Sequence, residues 1–114
     1  MANKYKINIT PVATTSITTL YTCPTANVAI VKSISAYNTH PTAPTNWVLS
    51  VRDNSASADF VYKGETSVAA ATKKEFLSAD ESSILVLEES DSLKFSTTVT
   101  SANVFVSVLE QDRT

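Results

Sequence analysis

The chain has 114 residues, of which 43% are hydrophobic and 18% are charged, and its formal net charge is −2. That length fits one domain with a two-layer core. The slight negative charge argues against a dedicated nucleic-acid binder, which normally carries a basic surface, and a single cysteine, Cys23, excludes an intramolecular disulfide. We therefore predict a single domain over residues 1–114, in which residues 1–16 form an N-terminal strand or arm.

Alternating apolar and polar residues, interrupted by short polar turns, predict eight or nine short strands and no helix. In chain order, the predicted strands cover residues 5–9, 17–22, 28–37, 47–51, 60–62, 74–77, 84–87, 93–99 and 104–109. A bulge is predicted near Lys32, where the alternation fails. Gly64 is expected in a tight turn, and Ser90 with Asp91 is expected to turn a β-hairpin.

This spacing of strands is typical of an all-β fold, an antiparallel β-sandwich. The strand count favours a jelly-roll-like sandwich, and an immunoglobulin-like sandwich is the alternative. The first strand alternates Tyr5, Ile7 and Ile9 with polar residues, which predicts a half-buried strand.

The last strand is apolar on both faces, because Val104 alternates with Phe105 and Leu109 lies on the same face as Phe105. A monomeric sandwich more usually leaves one face of a strand polar. The pattern therefore favours a homo-oligomer, with a trimer preferred. The candidate interface residues are Tyr37, Phe105 and Leu109.

The charges are distributed unevenly along the chain. Residues 1–74 contain seven Lys and Arg against three Asp and Glu, whereas residues 75–114 contain two against eight. Two interpretations are open. Adjacent strands from the two parts neutralise each other within one fold, or complementary surfaces guide head-to-tail packing between subunits.

The residues carry no catalytic signature, and we predict that the protein is not an enzyme. His40 is the only histidine, and no serine or cysteine has the context of a nucleophile. The acidic residues Glu88, Glu89 and Asp91 lack the ordered spacing of a calcium loop, so we predict a solvated turn and no metal. We also expect no cofactor.

A loop with two prolines at residues 38–45 is the candidate recognition loop, with Asn38, His40 and Trp47 as its candidate residues. An indole at the mouth of such a loop could stack on a host glycan. For Trp47 the core is the favoured position, because it continues the apolar face of Leu49 and Val51, and the glycan-stacking or interface aromatic is the alternative. No segment approaches the roughly 18 apolar residues of a membrane span, and no signal peptide is recognised at the N-terminus, so no membrane partner is expected.

Five segments resemble the small β-sandwich virion proteins of tailed bacteriophages. These are LYTCP at 20–24, VAIVKSI at 28–34, YNT at 37–39, LVLEESDSL at 85–93 and VFVSVLE at 104–110. The resemblance extends over residues 17–110 and concerns spacing and turn chemistry. Where such proteins commonly have glycine in two turns, this chain has Asn27 and Ser90.

The resemblance implies a structural role in a phage particle, as a capsid decoration or cement subunit, a head fibre or a tail component. It implies partners that are copies of the chain and other virion proteins, and a location in the virion after synthesis in the host cytoplasm. It carries over no catalytic residue. The competing function is a tail- or fibre-associated recognition module that binds a host glycan or receptor through its loops, and a sandwich fold cannot decide between the two.

Overall fold

The computed structural model describes residues 3–77 and 85–112, and nine strands lie within them. They are β1 (Asn3–Val12), β2 (Thr18–Thr22), β3 (Asn27–Asn38), β4 (Thr45–Asp53), β5 (Ala58–Val68), β6 (Lys73–Leu77), β7 (Leu85–Leu87), β8 (Ser92–Thr97) and β9 (Ala102–Asp112). The predicted all-β class is confirmed. Ile84, which the sequence places at the start of a strand, lies outside the described residues.

The strands form two antiparallel sheets. Sheet A has the order β1-β9-β3-β6, with β7 also paired to β3, and sheet B has the order β2-β8-β4-β5. Because β6 and β7 pair with successive parts of the same edge of β3, they share one position in sheet A. The lateral edges of the sandwich are β1 beside β2 and β5 beside β6.

This strand order is that of a jelly roll, in which the chain crosses between two sheets of four strand positions. An immunoglobulin-like sandwich would instead place its first, second, fifth and fourth strands in one sheet. The jelly-roll-like prediction is therefore confirmed over the immunoglobulin-like alternative.

The predicted hairpin at Ser90 and Asp91 is wrong. The strand before this turn, β7, pairs with β3 in sheet A, and the strand after it, β8, pairs with β2 and β4 in sheet B. The turn therefore joins the two sheets. Asp91 makes this possible, because its carboxylate accepts hydrogen bonds from the backbone N–H groups of Asn54 at 2.9 Å and Glu88 at 3.1 Å.

Two other local predictions have opposite outcomes. The ladder between β3 and β9 shifts register between Val31 and Ser33, which confirms the bulge near Lys32. Gly64 is not in a turn, because it lies within β5 and pairs with Val48. Of the two residues that stand where small phage virion proteins commonly have glycine, Ser90 adopts the left-handed backbone conformation, with φ 70°. In the turn between β2 and β3, the left-handed residue is Ala26 and not Asn27.

The core is formed by the facing sides of the two sheets. Its centre is an aromatic cluster of Trp47 and Phe95 from sheet B with Phe76 from sheet A, with ring centroids 5.9 to 6.1 Å apart. Aliphatic side chains of β3, β4, β8 and β9 surround this cluster. Hydrophobic burial of this kind is the main stabilising contribution to a sandwich of this size.

Candidate assembly interface

Strand β1 presents its apolar side chains to solvent. Tyr5 is 79% exposed, Ile7 60% and Ile9 57%. Their register partners on β9 are Leu109, Ser107 and Phe105, whereas the core residues Val106 and Val108 pair with Asn8 and Lys6. The predicted strand is confirmed, but the prediction that its apolar side is buried is wrong.

Polar partners explain why β1 turns its polar side inward. The side-chain amide of Asn8 donates to the carbonyl of Leu20 at 3.2 Å, and the Lys6 ammonium lies 3.6 Å from the carboxylate of Glu110. Glu110 is buried, and it also accepts a hydrogen bond from the Tyr21 hydroxyl. A slip of one residue would turn the isoleucines towards sheet B but would break these contacts.

The outer face of sheet A, which is the face directed away from sheet B, is consequently rich in apolar side chains. It contains Tyr5, Ile7, Ile9, Ile30, Tyr37, Val86, Phe105 and Leu109. The three candidate interface residues of the sequence therefore lie on one face. Leu109 is buried between its register partners Tyr5 and Ile30, Phe105 is half-buried, and Tyr37 is exposed.

A shallow groove crosses this outer face. It is lined by Ile7 and Phe105, by Tyr37 and Lys73, and by serine and asparagine side chains of β3 and β9. Isolated apolar residues are common on protein surfaces, whereas contiguous apolar patches usually mark interaction sites. The outer face is therefore the strongest candidate for contact with another protein surface.

A second apolar surface lies on the opposite lateral edge, on β5. Phe60 is 55% exposed and Val61 is 72% exposed, and Tyr62 beside them is also exposed. Among the strands of residues 3–77 and 85–112, β5 pairs with β4 alone, and its other edge forms no sheet ladder with them. The register shift opposite Leu49 and Ser50 makes Tyr62 an extra residue on β5, and such bulges are common at sheet edges.

Asn38 of the candidate recognition loop is fully buried and has a structural role. Its side-chain amide donates to the carbonyls of Ala43, Val68 and Ala69 at 3.1 to 3.2 Å, and its side-chain oxygen accepts from the backbone N–H of His40 at 3.0 Å. These bonds hold the β3–β4 loop against the β5–β6 loop. The predicted role of Asn38 in contacting a ligand is therefore not supported.

Trp47 is only 1% exposed and belongs to the aromatic cluster of the core. The favoured core position of this residue is thus the one observed, and its face is not available to a sugar ring. His40 folds the loop, because its Nδ1 accepts hydrogen bonds from the backbone N–H groups of Thr42 at 3.1 Å and Ala43 at 2.8 Å. Of the three candidate recognition residues, only His40 remains at least partly exposed.

The acidic residues near the β7–β8 turn serve local structure. In addition to the contacts of Asp91, the Glu89 carboxylate accepts a hydrogen bond from the backbone N–H of Ala26 at 2.7 Å. Within residues 3–77 and 85–112, no group of three or more His, Cys, Asp or Glu is arranged to hold a metal ion. A surface cavity beside this turn is lined by Glu88 and Glu89 together with Asn54 and Ser55.

Cys23 is buried, and its thiol lies 3.5 Å from the carbonyl oxygen of Asn27. Burial raises the pKa of this thiol, and the negative charges of Glu110 and Asp91 raise it further. A thiol with a raised pKa is a poor nucleophile because little thiolate is present near neutral pH. Cys23 is therefore a small buried residue of the core.

The Tyr21 hydroxyl predicts a pH dependence of stability. Its burial raises its pKa far above the ordinary value of about 10, and the hydrogen bond to Glu110 raises it further. The folded state therefore keeps this proton after the unfolded chain has lost it. The stabilisation is complete below about pH 10 and declines above it, by up to about 1.4 kcal/mol per pH unit.

We expect the variant Tyr21→Phe to lack this alkaline decline. The measurement is the free energy of unfolding by urea at several pH values between neutral and strongly alkaline, for wild type and variant. All other tyrosines and lysines are shared, so the difference between the two slopes isolates Tyr21. Equal slopes above about pH 10 would show that the hydroxyl ionises as readily in the folded state as in the unfolded chain.

Within the part of the chain that the structure describes, no helix is long and apolar enough to cross a membrane. No protein-family model and no curated protein matches the sequence.

Several solved structures are similar in shape. The core of the Drosophila protein NLP, whose structure concerns pentamer formation and histone binding by that protein, has a TM-score of 0.50 at 10% identity, over 96% of this chain and 97% of that one. A Bacillus endospore appendage protein from a family of disulfide-linked pili has a TM-score of 0.43 at 10% identity, over 99% and 88%. The virus-like particle of Macrobrachium rosenbergii extra small virus gives 0.40 at 16% identity, over 96% and 79%. The likeness to the NLP core concerns the fold alone.

Proposed function

We propose that this chain is a non-enzymatic structural subunit of a tailed-bacteriophage particle, a capsid decoration or cement protein that acts by packing against copies of itself and other virion proteins. The observation that carries the proposal is the apolar outer face of sheet A. A strand that turns Asn8 and Lys6 towards sheet B while exposing Tyr5, Ile7 and Ile9 is accounted for if another protein surface covers it.

Two further observations support a packing role. The resemblance to small phage virion proteins extends over residues 17–110, and none of its segments includes a catalytic residue. The Drosophila NLP core, which shares the fold, forms pentamers, so a sandwich of this kind is compatible with assembly into rings. We favour a trimer or a larger ring, located in the virion.

The buried positions of Asn38 and Trp47 weaken the alternative of a recognition module. A loop whose candidate residues hold the fold together offers little side-chain surface to a glycan. Only His40 remains, and its Nδ1 is already engaged with the loop backbone. A glycan array probed with the purified protein tests this alternative, and we expect no hit.

The proposal is tested on phage particles purified from a bacterial culture in which the gene for this chain is expressed. We expect antibodies against the purified chain to decorate the surface of purified particles in electron microscopy. We also expect mass spectrometry to detect the chain in particles that have been washed free of cell lysate. Particles that contain every other virion protein but lack this chain would overturn the proposal.

A single substitution tests the role of the outer face. We expect Phe105→Asp to retain the β-sheet circular dichroism signal, because Phe105 points away from the core, and to lose incorporation into particles. A carboxylate in a desolvated interface is unfavourable unless it is paired. Ser96→Asp, on the outer face of sheet B, is the matched control and should be incorporated like wild type.

A further inference from the structure

The outer face of sheet A carries few charged side chains. The outward-facing residues of β1, β9, β3, β6 and β7 are mostly apolar or uncharged polar. The ammonium of Lys73 and the carboxylate of Glu75 lie 3.8 Å apart and neutralise each other. Lys32, at the bulge of β3, lies on this face beside Ile7 and Ser107, and it has no ion pair within residues 3–77 and 85–112. The centres of protein interfaces are depleted of charge in the same way.

One part of this face is a row of large apolar side chains. Leu109 of β9 is flanked by its register partners Tyr5 and Ile30. Ile30 is paired in turn with Val86, which is 49% exposed. The row therefore runs across all four strand positions of sheet A.

The neighbouring part of the face is a depression. The small side chains of Ser33, Ser35 and Ser107 line the groove described above. Ser107 is two residues from Leu109 on β9, so it lies on the same face directly beside the apolar row. The groove is shallow and open, which suits a flat protein surface better than a small molecule, whose sites are usually enclosed.

A surface with a raised apolar row and a groove beside it is complementary in shape to a copy of itself. In a two-fold contact, the row of one copy lies over the groove of the other, and the reciprocal contact forms at the same time. Twisted β-sheets pack face to face about 10 Å apart, as the two sheets of a sandwich do. The shape of the face therefore favours a second copy as its partner.

The face is large enough for a stable dimer. Strand β9 has 11 residues, which extend about 37 Å at about 3.4 Å per residue. The four strand positions of sheet A are together about 19 Å wide at about 4.8 Å each. Each copy therefore contributes about 700 Å², so the contact covers about 1,400 Å² in total, and specific protein interfaces bury about 1,200–2,000 Å².

Other surfaces of the described chain are less suited to such a contact. The outer face of sheet B carries the charged side chains of Lys94, Arg52 and Asp59. The exposed apolar residues of β5 do not add up to one patch, because Phe60 and Val61 point to opposite faces of that strand. The outer face of sheet A is therefore the surface on which a copy of the chain meets mainly apolar groups.

From these observations we infer that the outer face of sheet A binds the same face of a second copy of this chain, in a two-fold contact made mainly by apolar side chains. The inference rests on the proposed packing role and names the surface and the partner, and the pair is the unit that enters the particle. The trimer or larger ring favoured for the virion forms through a further contact, and copies that use both contacts have dihedral symmetry.

Substitutions on two different strands of the face test the contact. Ile7→Asp in β1 and Val86→Asp in β7 each place a carboxylate in the interface, and both side chains are exposed, so both variants should fold as judged by circular dichroism. We expect wild type to have twice the 12.3 kDa chain mass in light scattering after size exclusion, and each variant to be a monomer. Val61→Asp, on β5 and 72% exposed, is the matched control and should dimerise like wild type. A wild-type monomer or trimer, or a dimer that neither variant disrupts, overturns the two-fold contact.

Lys32 distinguishes an identical face from an acidic partner surface. Lys32 and Lys73 against Glu75 give each face a net charge of +1, so two such faces repel each other weakly. We expect Lys32→Ser to lower the dissociation constant of the dimer by about two- to fivefold in analytical ultracentrifugation at low salt. Among the described residues of this face, the acidic side chain is Glu75, which is already paired. A dimer that Lys32→Ser weakens would therefore use a different, acidic surface and would overturn the contact between identical faces.

The failure of this inference is distinguishable from failure of the proposed function. A wild-type chain that is a monomer in solution overturns the two-fold contact. The same chain detected on washed particles still supports the packing role, with another virion protein on this face. Conversely, a dimer whose chain is missing from particles supports the contact and overturns the role in the virion.

Discussion

Replacing Asn38 by aspartate is expected to lower the free energy of unfolding by about 3 kcal/mol, which is large for a change of one atom group. The Asn38 amide donates to three backbone carbonyls inside the protein. An aspartate places a carboxylate oxygen opposite those carbonyls. The variant therefore loses donors, leaves buried acceptors unsatisfied and buries an unpaired negative charge.

The measurement is urea unfolding at neutral pH, with the Ile7→Asp change present in both proteins so that self-association does not contribute to stability. Asn103→Asp is the matched control, because Asn103 lies on the outer face of sheet A and is partly exposed. We expect the control to change stability by less than about 0.5 kcal/mol. Equal effects of the two substitutions would show that the loop does not depend on the Asn38 amide.

The pH dependence of the Asn38→Asp variant provides a second check. Burial without a cationic partner raises the pKa of the introduced carboxyl above its value of about 3.9 in the unfolded chain. A raised pKa in the folded state means that stability is greatest below the unfolded value and is lost as pH rises through the folded value. The deficit relative to wild type should therefore shrink as pH falls from neutral towards about 4, and it should be smallest below that value.

The sequence predicts the strands well because alternation shows which residues share a face. It does not show which face is inward, and β1 illustrates this. The same alternation is compatible with Tyr5, Ile7 and Ile9 facing either the core or the solvent. The observed orientation depends on contacts with Glu110 and Leu20, which are distant in sequence. The orientation of β1 was therefore not predictable from local periodicity.

The turn at Ser90 and Asp91 shows a related limit. Two short strands separated by a polar turn have the pattern of a hairpin, yet this turn crosses between sheets. The difference lies in long-range contacts, since Asp91 accepts a hydrogen bond from Asn54, and the backbone of Cys23 bonds to Ser90 and Asp91. Local turn chemistry fixes where the chain bends but not which strand it next meets.

Asn38 of the candidate recognition loop was misplaced for a similar reason. An asparagine before a loop with two prolines suggests a solvated turn, and a tryptophan after it suggests a binding aromatic. The alternation of Trp47 with Leu49 and Val51 carried the correct signal for a core position. No local signal marks Asn38 as buried, because two of its acceptors, Val68 and Ala69, are about thirty residues away.

Truncating Trp47 to alanine is expected to cost about 3 to 5 kcal/mol, the usual range for removing a large aromatic side chain from a core. Trp47 packs against Phe95 of its own sheet and Phe76 of the other, with centroids 5.9 and 6.1 Å away. Its loss leaves a cavity at the point where the two sheets meet. The measurement is again urea unfolding in the Ile7→Asp background.

Trp47→Phe is a milder substitution whose effect on the free energy of unfolding is compared with that of Trp47→Ala. The indole Nε1 of Trp47 has no hydrogen-bond partner among the described residues, and a buried donor without a partner is costly. Phenylalanine removes that donor and keeps most of the aromatic contact, so we expect it to cost well under half of the alanine value. A larger loss for phenylalanine would indicate that the indole N–H contributes favourably to the fold.

Fluorescence distinguishes the core position from a binding position without any substitution. The chain has a single tryptophan, so its intrinsic emission reports on Trp47 alone. A side chain that is 1% exposed should emit at short wavelength and resist quenching by acrylamide. On unfolding, the emission should shift to longer wavelength and become quenchable.

Emission that is already quenchable in the folded protein would restore the indole as a candidate glycan contact, and a small cost for Trp47→Ala would agree with it. A shielded indole together with a large cost for Trp47→Ala would place this residue in the core that holds the two sheets together, and not in a recognition site.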